Sequence, residues 1–99
     1  DLSKTVELEL AFSEQGCAMF APTGRARLTL HVSDDDSPNA LKEVELCGDQ
    51  NGLRAIAAAI LATAESPLSG FHMHIDEEVN GPVFRSPDGF TLTISRYEK

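Results

Sequence analysis

The residues with the most chemical potential in this chain are three histidines. His72-x-His74 occupies alternate positions of an extended stretch, so both imidazoles point to one side with Cα atoms roughly 7 Å apart. With His31 or Asp76 this pair could furnish a metal site. Zinc, however, needs three or four converging ligands, and the His-x-His spacing fixes only two. No nucleophile constellation accompanies them. There is no Gly-x-Ser-x-Gly turn, and Cys17 and Cys47 lack the Cys-x-x-Cys spacing of a redox or zinc motif. Both cysteines have apolar neighbours and are expected as buried or half-buried thiols in a reducing compartment. Carboxylate pairs such as Glu7 and Glu9 sit at exposed alternate positions, where nothing perturbs them enough for acid–base work. Gly48 and Gly52 form no phosphate loop, because no Lys-Ser/Thr follows; they read as turn and helix-start residues. No catalytic residue and no cofactor is therefore expected, and the chain reads as a non-enzyme.

Charge sharpens this exclusion. The 99 residues carry 8 Lys and Arg against 16 Asp and Glu, a formal net charge of −8. Nucleic acid and anionic membranes are bound by neutralising phosphates with cations, so both are excluded as partners. The composition, 41% hydrophobic and 24% charged, is that of an ordinary globular chain. A single domain spanning residues 1–99 is expected, without repeats or linkers. The apolar run from Ala55 to Ala64 is far short of the about 20 residues needed to cross a bilayer. No basic-then-apolar leader opens the chain, so a cytoplasmic protein without a signal peptide is expected.

The elements that must position these residues follow from periodicity. Val6, Leu8, Leu10 and Phe12 alternate with Thr5, Glu7, Glu9 and Ala11 and predict a strand; a shorter strand is expected from Cys17 to Ala21, ending at Pro22. Arg27 to Val32 alternates again. Asp34-Asp35-Asp36-Ser37-Pro38-Asn39 is an acidic loop, followed by a strand over Leu41 to Leu46. Past Gly48 the period changes to 3.6. Asp49 or Asn51 is placed to cap a helix whose apolar stripe is Leu53, Ile56, Ala57, Ile60, Leu61 and Ala64. Ala58, Ala59 and Ala62 fall on its back, and Ser66-Pro67 ends it. Phe71, Met73 and Ile75 alternate with His72, His74 and Asp76. Two turns, Asn80-Gly81-Pro82 and Ser86-Pro87-Asp88-Gly89, precede a last strand over Phe90 to Ser95.

Strands, one helix and further strands imply an α+β fold: a mostly antiparallel sheet of five or six strands with one helix packed on one face. One helix covers one side only, which leaves the other sheet face open. The side chains expected there include Glu7, Glu9, Glu43, Glu45, His72, His74 and Asp76, together with His31. This face is acidic, and it suits a basic protein partner attracted and selected by complementary charge.

The second half of the chain also resembles a known family. Gly48-Asp49-x-x-Gly52-Leu53-Arg54-Ala55-Ile56-Ala57, an Ala/Leu-rich helix, His72-x-His74 on a strand and a closing Leu92-x-Ile94-x-Arg96 are similar to the immunity protein 32 family of bacterial polymorphic toxin systems. The likeness covers Glu43 to Arg96. It implies a small cytoplasmic α+β protein that binds and neutralises a cognate toxin, with no catalysis required. Three readings follow: a protein-binding module of this kind acting on a basic toxin; a small metal-binding protein or enzyme built on His31, His72 and His74; or a structural homodimer domain.

Overall fold

A computed structural model describes residues 2–33, 38 and 42–97. The elements run β1 (Leu28–Ser33), β2 (Glu43–Gly48), α1 (Gln50–Glu65), β3 (His72–Ile75), α2 (Glu77–Asn80), β4 (Phe84–Arg85) and β5 (Leu92–Ser95). The fold is α+β, with one main helix. The strands do not form one sheet of five or six, however. They split into a three-stranded sheet of order β2-β1-β4 and a two-stranded sheet of β3 and β5. β1 is antiparallel to β2 and parallel to β4, while β3 and β5 are antiparallel. The acidic loop expected at Asp34 to Asp36 lies outside the described residues.

The predicted N-terminal strands are absent. Between residues 2 and 27 the ladder shrinks to one isolated bridge, Phe12 with Ala18, around a turn at Glu14–Gln15. Alternation marks which side of an extended segment is apolar but supplies no neighbour to pair with. Val6 and Phe12 stay exposed, and Leu8 and Leu10 are half-buried beside α1. Arg54 ties this segment to the helix by donating from Nη2 to the Glu7 carbonyl at 2.7 Å.

α1 forms for the reasons anticipated. Asp49 caps it, accepting from the Gly52 amide at 2.8 Å, and Ser66 closes it. Its buried side is only partly the expected one: Ile56 of the predicted stripe enters the core, but most of its large partners do not. Ala55, Ile56, Ala59 and Ala62 are buried, whereas Leu53, Ile60 and Leu61 remain 43%, 48% and 46% exposed. The reason is space. Leu28, Ile75 and Phe84, all fully buried, fill the layer opposite, so the helix presents alanines and lies close to them. In an alanine-rich helix two stripes compete, one of large side chains and one of small ones, and periodicity does not choose between them.

Arg27 is the hinge pin of the β2–α1 corner. Its carbonyl accepts from the Asp49 amide and its amide donates to Asp49 Oδ1, both at 3.1 Å. The contact is so close that a Cβ on Gly52 would lie 1.9 Å from the Arg27 carbonyl oxygen, and one on Gly48 would lie 2.6 Å from it. At the far end of α1 the Arg96 guanidinium fans across the chain. It donates to the carbonyls of Ala64 at 3.1 Å, Ser66 at 2.7 Å and Leu68 at 2.8 Å, with Thr63 more distant at 3.4 Å. A cation there also complements the negative end of the helix.

Candidate functional site

The predicted acidic face is distributed over three separate elements. Glu43 and Glu45 are exposed on the side of β2 that points away from α1. Register sets Glu45 opposite His31 and Glu43 opposite Ser33 on β1. On the same face, one pair further, Cys47 stands opposite Thr29, and Thr29 pairs in turn with Arg85 of β4. Cys47 is exposed and Cys17 only partly covered, and both are free thiols; the expectation that both are at least half-buried therefore fails at Cys47. Cys47 lies on the outer side of an edge strand, where apolar neighbours in sequence supply no cover.

His31 has Asp88 4.0 Å from its Nδ1. The same carboxylate accepts from the Val32 amide at 2.9 Å. It thus takes over the edge of β1 beyond the point where the two-residue β4 stops. A two-residue strand carries no legible period, so the sequence does not reveal β4 and its Arg85.

His72 and His74 lie on the exposed side of β3, in the other sheet. Their rings meet edge-to-face with centroids 4.9 Å apart, and His74 Nδ1 is 2.9 Å from Thr93 Oγ1 across the ladder. His31 belongs to the three-stranded sheet, and the three imidazoles are not brought together. Among the described residues, no group of three or more His, Cys, Asp or Glu side chains is arranged to hold a metal ion.

Asp76 ends β3 and caps α2, accepting from the Val79 amide at 2.7 Å, so its carboxylate is engaged within the fold. Glu7 and Glu9 are exposed on the extended N-terminal segment, which borders a groove of about 830 Å³ along α1. Two carboxylates have depressed pKa values. Asp49 is lowered by the hydrogen bonds from the Gly52 and Arg27 amides, and Glu77 by Arg85 Nη1 at 3.0 Å and the Ser86 amide. Both act structurally: Asp49 fixes the β2–α1 corner, and Glu77 fastens α2 to β4. Among the described residues, no helix is long and apolar enough to cross a membrane.

The residues that carried the family resemblance are accounted for by this geometry. Gly48, Asp49 and Gly52 make the corner on Arg27, Arg54 holds the N-terminal segment, and Arg96 closes α1. His72 and His74 are left facing solvent, as is Leu53 at the start of α1. Comparison with known proteins gives one finding. Residues 43–97, from the start of β2 to just beyond β5, match the family Imm32, immunity protein 32. No curated protein and no solved structure matches the chain. The match spans more than half of the sequence, and the chain belongs to the immunity protein 32 family.

Proposed function

We propose that this chain is an immunity protein that acts by binding a cognate toxin in the bacterial cytoplasm and blocking it, without catalysis of its own. The observation that carries this reading is the family match over residues 43–97. The net charge of −8 gives the partner its character: a basic toxin approaches an acidic chain faster and is preferred over acidic competitors. Glu43 and Glu45, exposed on the outer side of an edge strand, are the carboxylates best placed to meet it.

The test is co-expression. The toxin encoded beside this chain should arrest growth alone and not when the chain is co-produced, and the two should co-purify as a complex that loosens as salt is raised. Glu43→Lys with Glu45→Lys should slow association, because charge at an interface acts first on the encounter rate. Growth arrest that persists with the chain present would sink the immunity reading. An unchanged association rate in the double variant would remove these glutamates from the interface.

A further inference from the structure

The acidic character of the chain has a local exception. A cleft of about 500 Å³ opens where the segment leading into β1 meets the segment leading into β4, and Arg25, Arg27 and Arg85 all line it. No Asp or Glu lines it, although the chain has twice as many acidic as basic residues, 16 against 8. Among the described residues the Arg25 guanidinium has no hydrogen-bonding or ionic partner. Arg27 is held by its backbone, and its exposed side chain makes no hydrogen bond among the described residues, although its charge already acts on Asp49. Arg85 spends one nitrogen, Nη1, on Glu77.

We propose that this cleft is a carboxylate site that takes an aspartate or glutamate side chain of the protein partner. Guanidinium forks match the planar carboxylate in pairs. Within the chain Arg85 already binds a carboxylate through one bond, Nη1 to Glu77 Oε1, the second Glu77 oxygen being taken by the Ser86 amide at 3.2 Å. Phosphate is the poorer fit. Phosphate sites are commonly built on free amides at a helix start, and the nearby start of α1 is filled by the Asp49 carboxylate. The walls of Ala26, Pro82 and Val83 suit the methylenes that carry a side-chain carboxylate.

Position adds a second argument. Thr29, on the cleft wall, lies on the same outer face as His31 and Ser33, which pair with Glu45 and Glu43. Along the strand these carboxylates stand about 7 and about 13 Å from the level of Thr29. The face therefore has a basic end and an acidic end, and a partner matched to it carries an acidic residue set about that far from its basic ones. The identity of that partner rests on the immunity reading; the carboxylate site itself does not.

The experiment is an amide NMR titration of the full chain with an acetylated glutamate-rich peptide. A lysine-rich peptide and inorganic phosphate serve as the comparison probes. The glutamate peptide should shift the Gly24, Thr29 and Val83 amides saturably, and less so as salt rises from about 20 to about 200 mM. Arg25→Gln with Arg27→Gln should weaken it about tenfold while the remaining spectrum stays folded. The proposal is overturned if those amides do not respond, if the double variant binds equally well, or if phosphate shifts them and the peptide does not. With the toxin in hand the two readings separate. Toxin capture untouched by Arg25→Gln and Arg27→Gln removes the cleft from the interface, whereas peptide binding without toxin capture or neutralisation removes the immunity role and leaves the site.

Discussion

Gly52→Ala is the substitution on which the two views of α1 disagree most. Helix propensity alone favours it, since alanine in a helix is better than glycine by about 1 kcal/mol. The corner geometry opposes it. A Cβ at Gly52 would stand 1.9 Å from the Arg27 carbonyl oxygen and 2.7 Å from its carbonyl carbon, where ordinary contact begins at 3.4 Å. Relief requires the helix start and β1 to part by about 1.5 Å, the difference between the contact distance and the observed one. The obstacle is backbone, so no side chain can rotate away, and the cost belongs at the upper end of the about 1–3 kcal/mol typical of overpacking. Subtracting the propensity gain leaves about 2 kcal/mol of destabilisation, which lowers the melting temperature of a domain this size by about 8–16 °C. Thermal unfolding followed by far-ultraviolet circular dichroism reads this directly, with Gln50→Ala as an exposed control in the same first turn. A Gly52→Ala chain that melts at or above the parent temperature would refute the close docking of α1 on Arg27.

Four further outcomes are expected. Arg96→Ala should lose about 2–3 kcal/mol in urea unfolding, and Arg96→Lys should recover only part of it, because one ammonium cannot span the carbonyls of Ala64, Ser66 and Leu68. Ile60→Gln should change stability by less than about 0.5 kcal/mol while Ala59→Leu costs about 1–3 kcal/mol; the opposite ranking would restore the large-residue stripe as the buried one. Asp49 and Glu77 have folded pKa values below their ordinary 3.8 and 4.5, so their stabilisation is complete above those values and is lost as pH falls through the folded pKa. Melting temperatures measured down to pH 2 should therefore converge between the parent and Asp49→Asn, and a gap that persists or widens in acid contradicts the cap. Chelator or added zinc should leave the melting temperature unmoved, given that His31 is remote from the His72–His74 pair; a clear shift with metal would contradict this.

Period and punctuation make β1, β2, β3, β5 and α1 legible, together with a cap at Asp49 or Asn51, of which the fold uses Asp49, and the Ser66 stop, because each of these is local. Three things were not local. The Val6 to Phe12 segment has a strand's alternation and no strand beside it. β4 is too short to show a period and is recruited by the parallel pairing of Phe84 with Leu28. The buried side of α1 depends on how much room Phe84 and Ile75 leave, which no pattern within the helix records. The expected acidic face is divided for a related reason: side-chain alternation assigns a face within one sheet, and the chain builds two. The outer face around Glu43, Glu45 and His31 survives as a unit because those residues share one sheet. The Arg25, Arg27 and Arg85 cleft is not legible in the sequence because its members come together only through the β1–β4 pairing.

The place of β1 bears on how this protein can be divided. β1 is the middle strand of its sheet, and both β2 and β4 are hydrogen-bonded to it and not to each other. Yet the family match begins at residue 43, after β1 has ended. The region by which the family is recognised is thus smaller than the unit that folds. A fragment trimmed to residues 43–97 would expose the inner edges of β2 and β4, lose Leu28 and Leu30 from the core, and leave Gly48 and Gly52 without the Arg27 and Leu28 atoms they lie against. Such fragments should aggregate through those open edges, or recover by taking up a separate peptide covering residues 2–33. Shuffling between relatives should succeed only where the incoming piece brings its own central strand.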